Sequence, residues 1–170
     1  MPASAKANAA NSTGIMPEIG SIAPDFSMKT DDNSTVTLKE YKGKKHIVLY
    51  FYPKDDTPGC TTEAKDFRDL MDAFDKADTV IIGVSKDSTE SHAKFKTKHC
   101  LPFTLGSDAT GEVCDAYGVW GEKSMYGKKY MGITRATFLI DKSGKLAAIW
   151  PKVSVTGHAA DVLKAVQGVT

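Results

Sequence analysis

No stretch of this sequence is long and apolar enough to form a membrane-spanning helix. A dominant charge is missing too: 22 basic residues stand against 21 acidic ones, a net +1 with no block of like charge. That balance argues against nucleic acid or an anionic membrane as a partner. Cysteine is scarce, with three residues at wide separations. An odd, dispersed set does not build the disulfide framework of a secreted scaffold and points to a reducing, cytoplasmic compartment. The absence of any Cys-x-x-Cys pair argues against a thiol–disulfide oxidoreductase. His46, His92, His99 and His158 fall at no metal-ligand spacing, so a zinc site is not expected, and no histidine stands out as the base of a Cys-His hydrolase. The stretch from Cys60 to Arg68 is too long for the phosphate loop of a cysteine phosphatase.

Residues 1–15 mix Ala, Ser and Asn around a single base, Lys6, without the hydrophobic centre of a secretory signal. They are expected to form a mobile tail, with Met16 as a second candidate start. The remainder, 16–170, has the length and apolar content for one domain whose core needs no disulfide or metal.

Turn residues separate Phe26–Lys29 from Thr35–Leu38, which predicts a short N-terminal hairpin. Lys45–Tyr52 is a compact apolar run closed by Pro53 and reads as a central strand buried on both faces. From Cys60 to Phe74, Ala64, Phe67, Leu70, Met71 and Phe74 recur at helical spacing, predicting one helix packed on the sheet. Thr79–Ser85 is a second buried strand, and Asp87-Ser88-Thr89-Glu90 caps a helix to about His99. A shorter helix is expected over Asp108–Tyr117, a hairpin from Phe138–Ile140 and Leu146–Trp150, and a last helix near Ala159–Val166. Parallel strands joined by helices, then an antiparallel hairpin and a terminal helix, give an α/β three-layer sandwich with a central mixed sheet.

The chemistry concentrates where the central strand ends. Thr57 followed by Pro58 reads as an N-cap with proline at the first helical position, which places Cys60 third in the helix, near unpaired amides and the positive end of the dipole. An ordinary cysteine is only about 3% thiolate at neutral pH, and a roughly thirtyfold gain in the reactive form requires about 3.4 kcal/mol. A helix start supplies about 0.3 to 2 kcal/mol, so a second positive group must stand nearby. Arg135, at the beginning of a strand-like run, is the candidate. If that strand runs antiparallel to the central one, its start lies beside the Cys60 helix. Lys54 is closer in sequence but sits on a turn.

The segment Tyr52-Pro53-Lys54-Asp55-Asp56-Thr57-Pro58-Gly59-Cys60-Thr61 resembles the active-site segment of the peroxiredoxins, in the branch called bacterioferritin comigratory protein or peroxiredoxin Q. The likeness continues through Phe67-Arg68-Asp69, Tyr126-Gly127-Lys128, Arg135 to Asp141 and Gly157-His158. It implies a thioredoxin-like fold and cysteine-dependent reduction of hydrogen peroxide and organic hydroperoxides through a sulfenic acid, with no cofactor. The catalytic positions carry over to Pro53, Thr57, Cys60 and Arg135. Donors from Arg135, the Thr57 hydroxyl and the Cys60 amide are expected to hold the peroxide, with Pro53 shielding the sulfur from water. The reductant implied is thioredoxin, or glutaredoxin and glutathione, and the expected assembly is a monomer or weak homodimer.

The chain departs from that branch at the two positions where a resolving cysteine stands in many members. Here they are Lys65 and, by alignment, Lys96. Three routes stay open: one-cysteine chemistry with an external thiol, resolution by Cys100 one turn beyond Lys96 on the same helical face, or resolution by Cys114, whose neighbours look like core. The missing resolving positions also leave an alternative: a non-enzymatic chaperone or interaction protein on the same scaffold.

Overall fold

The computed structural model describes residues 15–169, so the expected tail lies, except for Ile15, outside the described residues. Alternation along the central strand β3 (His46–Phe51) organises everything else. Ile47, Leu49 and Phe51 point to one side, and Val48, Tyr50 and the following Tyr52 to the other. All six strand residues are buried, as the unbroken apolar run predicts.

β3 pairs in parallel with β4 (Thr79–Ser85), and β4 in parallel with β5 (Thr104–Ser107), a strand not anticipated from the sequence. On the other side β8 (Ala136–Ile140) pairs antiparallel with β3, and β9 (Leu146–Trp150) antiparallel with β8. The expected N-terminal hairpin, β1 (Ser27–Thr30) and β2 (Thr35–Thr37), closes the far edge through β5. The seven-stranded order is β9-β8-β3-β4-β5-β1-β2.

Helices cover both faces. The Val48 face carries α1 (Pro58–Asp69), α2 (Met71–Lys76), α3 (Thr89–His99) and α5 (His158–Val169), which contribute Phe67, Phe74, Phe95 and Val162 to one core. The Ile47 face is covered by α4 (Glu112–Ala116) and the segment around Phe26. The expected three-layer sandwich results.

Two expectations are corrected. The single helix from Cys60 to Phe74 is broken at Leu70, where the chain tightens (φ −104°, ψ 9°) and restarts. Seven residues of unbroken helix would separate Phe67 and Phe74 by about 10 Å along the axis. The break instead lets their ring centroids approach to 6.0 Å in the shared core. The Asp108–Tyr117 helix is shorter than expected because Asp108 stays outside it and caps it, accepting from the Val113 and Cys114 amides at 3.2 and 2.8 Å.

A second hairpin, β6 (Trp120–Met125) and β7 (Lys128–Ile133), was not anticipated. Among the described residues its strands pair only with each other, and its tip turns through Tyr126 and Gly127, both at positive φ. Lys86 Nζ lies 4.2 Å from the Trp120 ring centroid at its base.

Candidate active site

The antiparallel pairing of β8 with β3 sets Ala136 opposite Phe51, so the start of β8 lies at the edge where β3 ends. Arg135 precedes that start and α1 follows that end. The sequence positions 60 and 135 therefore meet: Arg135 Nη2 donates to Cys60 Sγ at 3.3 Å. Arg135 Nη1 also donates to Glu63 Oε1 at 2.7 Å. Glu63, one turn after Cys60 on α1, was not anticipated as part of the site. No sequence signal separates it from the other charged residues of α1, yet its side chain is 1% exposed.

The α1 start is as expected in position but not in bonding. Thr57 is the N-cap and Pro58 the first helical residue, so Cys60 stands third. Thr61 N–H bonds to the Thr57 carbonyl at 2.8 Å. The Thr57 hydroxyl makes no cap and donates instead to the Lys54 carbonyl at 2.9 Å. In that arrangement its proton faces the Lys54 carbonyl and its oxygen lone pairs are left as acceptors. Cys60 is 2% exposed and packs with Tyr50, Tyr52, Ala64 and Phe67. Pro53 and Lys54 are exposed on the loop that joins β3 to α1.

Electrostatics follow from burial. Burial raises the Glu63 carboxyl to about 7, with Arg135 pulling the other way. Burial opposes the Arg135 charge, but negative charge on Glu63 and Cys60 outweighs it and raises the guanidinium. Tyr50 is pushed well up by burial and then by Glu63 and Cys60, which keeps it neutral. Its hydroxyl and Glu63 Oε2 have no hydrogen-bond partner among the described residues.

The loop itself is pinned by a second buried cluster. Asp55 accepts from Tyr52 Oη (2.6 Å) and Ser91 Oγ (2.7 Å), and its amide donates to Asp87 Oδ2 (2.8 Å). Asp55 Oδ2 faces His92 Nδ1 at 2.7 Å, and His92 Nε2 lies 3.0 Å from the Gly106 carbonyl. A carbonyl only accepts, so Nε2 carries a hydrogen. Asp56, at φ 58°, pairs with Lys98 (2.8 Å) and His99 (3.1 Å).

The other cysteines lie apart. Cys100 is exposed and caps α3 in the left-handed conformation (φ 53°), so it is not on the helical face of Lys96, contrary to the expectation. The helix ends at His99 because the Cys100 and Leu101 amides both turn back to the Lys96 carbonyl. Cys114 belongs to the core on the opposite face of the sheet from Cys60, and burial followed by Asp108 pushes its thiol up. Lys65 is exposed, and Lys96 pairs with Asp31 at 2.8 Å.

The sequence pattern of the AhpC/TSA family matches residues 19–149. Peroxiredoxin Bcp of Bacillus subtilis is 57% identical over 147 residues, covering 86% of this chain and 93% of its own. The chain belongs to the AhpC/TSA family, on its Bcp peroxiredoxin branch. A putative peroxiredoxin bcp of Coxiella burnetii is 53% identical over 86% of this chain and 96% of that one. A solved structure of the Xanthomonas campestris bacterioferritin comigratory protein, described for its alkyl peroxide reduction activity, superposes with a TM-score of 0.80 at 44% identity, over 85% of this chain and 91% of that one. This peroxiredoxin therefore has the thioredoxin-like fold and is a thiol-dependent peroxidase, with a peroxide as substrate and a thiol as reductant. Among the described residues no helix is long and apolar enough to cross a membrane.

Proposed function

We propose that Cys60 is the sulfur that meets the peroxide and that hydrogen peroxide and organic hydroperoxides are both substrates. The observation that carries this reading is the 3.3 Å contact between Arg135 Nη2 and Cys60 Sγ at the start of α1. The thiolate attacks the terminal hydroxyl oxygen of ROOH; an S–O bond forms, the O–O bond breaks, and the sulfur keeps that hydroxyl as sulfenic acid. The leaving RO⁻ takes a proton from water. Arg135 and the Cys60 amide are the donors facing the charge that grows on the departing oxygen, while the Thr57 oxygen accepts from the incoming peroxide hydroxyl and aligns it. Pro53, exposed on the loop that joins β3 to α1, serves to limit water at the sulfur.

Resolution proceeds by an external thiol, which attacks the sulfenic sulfur and releases water as a mixed disulfide forms; a second thiol then frees Cys60. Thioredoxin, or glutaredoxin and glutathione, supplies those thiols in the cytoplasm, and the working unit is residues 16–170 as a monomer or weak homodimer. The exposed Cys100 is the internal alternative to the external thiol. Peroxide consumption with a thiol donor tests the assignment. Cys60→Ser is expected to abolish turnover and Arg135→Ala to lower it at least a hundredfold, the scale of losing one such donor. Undiminished turnover in Cys60→Ser would reject the assignment.

A further inference from the structure

The charges around Cys60 do not balance with the groups named so far. Arg135 is already committed to Glu63, buried and 2.7 Å away. In molecules where Glu63 is ionised, a Cys60 thiolate adds a second negative charge against one guanidinium and about half a unit from the α1 start. Another positive group is required, and it stands on the β6–β7 hairpin.

Lys123 is half-buried in a hairpin whose tip is otherwise exposed. Its backbone pairs with Tyr130, but its side chain crosses diagonally over Gly132, where its Cδ lies 3.1 Å from the place a Cβ would occupy. The missing side chain at Gly132 gives Lys123 that path. At its end Lys123 Nζ donates to the Ile133 carbonyl at 2.9 Å, two residues before Arg135. An exposed lysine needs no such seat; this one is tied to the chain that delivers the guanidinium.

We propose that Lys123 is a positioning residue for the peroxide reaction: seated on the Ile133 carbonyl, it holds the strand leading to Arg135 and adds positive charge on the side of Cys60. The proposal rests on Cys60 being the reacting sulfur. The neighbourhood is consistent with it. Burial, then repulsion from Arg135, lowers the Lys123 ammonium, whereas negative charge at Cys60 acts on it in the opposite sense. The other ionisable groups facing the sulfur are Arg135, Glu63 and the neutral Tyr50.

The test compares Lys123→Gln, which keeps a donor for the Ile133 carbonyl but loses the charge, with Lys123→Arg, which keeps both. Thiolate absorbance at neutral pH, corrected with the same substitution in a Cys60→Ser background, reports the charge state of the sulfur without peroxide. The rate of Cys60 oxidation by hydrogen peroxide reports the chemistry. Lys123→Gln is expected to lower both by roughly two- to fivefold, the effect of removing one partly solvated charge, and Lys123→Arg to restore them. Equal thiolate absorbance in Lys123→Gln and wild type, in folded protein, overturns the proposal. Because that readout needs no peroxide, a wild-type Cys60 inert to peroxide would reject the functional assignment while the role of Lys123 stayed measurable.

Discussion

A side-chain carbon added at Gly59 would lie 3.1 Å from Arg135 Nη2, the nitrogen that touches Cys60. The glycine before the cysteine thus keeps open the approach of the guanidinium. Gly59→Ala is predicted to separate stability from activity. Alanine is the better helix former by about 0.8 to 1 kcal/mol, so the urea midpoint should hold or rise. Displacing Nη2 by a few tenths of an ångström should meanwhile lower the peroxidase rate roughly tenfold, about 1.4 kcal/mol in the barrier. A variant with unchanged kinetics would show that the guanidinium accommodates the methyl group.

Two buried groups give opposing pH dependences. Burial depresses His158 to about 4 from 6.5, so its contribution is present above pH 6.5 and is lost as pH falls through 4. Burial raises Glu63 to about 7 from 4.5, so its contribution is present below pH 4.5 and is lost as pH rises through 7. Each amounts to roughly 3 kcal/mol, and between pH 4.5 and 6.5 they offset. Wild type should be nearly flat there in urea unfolding. Glu63→Gln should gain stability with rising pH and His158→Gln should lose it. Flat profiles in both variants would refute the pairing.

Removing Asp55 leaves the buried His92, Tyr52 hydroxyl and Ser91 hydroxyl without their shared acceptor. Asp55→Ala should destabilise the protein by about 3 to 5 kcal/mol, and adding His92→Phe should recover part of the loss. Additive losses in that double-mutant cycle would mean that the two side chains do not interact. Since the Asp55 loop leads into α1, peroxide oxidation of Cys60 should slow as well.

The three thiols should separate under alkylation. Cys100, exposed at the end of α3, should react with iodoacetamide in the native protein, and Cys114 only after unfolding. After one equivalent of peroxide, mass spectrometry should find sulfenic acid at Cys60 with both other thiols still alkylatable on denaturation. A Cys60–Cys100 disulfide would transfer resolution to the internal thiol. A Cys60–Cys114 bond should never form, because the sheet lies between their cores.

Much of this arrangement was legible because apolar pattern and turn chemistry coincide at one place. The run from His46 to Tyr52 and the Thr57-Pro58 pair fixed where β3 ends and α1 begins, and the antiparallel return strand then put Arg135 beside Cys60. What escaped were charged residues performing buried roles. Glu63 and Lys123 resemble any surface acid or base until the tertiary fold covers them, and the charges of β6 and β7 conceal their alternation. The break at Leu70 was hidden for a different reason: Phe67 and Phe74 share a helical stripe whether or not the helix between them is continuous.

The β6–β7 ribbon shares no ladder rung with the seven-stranded sheet among the described residues, and the Lys123–Ile133 contact ties its own two strands together at the end that leads into Arg135. Its tip, with Tyr126 97% exposed, is therefore a convenient attachment point for a fluorophore. A dye there leaves the ladder of the main sheet untouched.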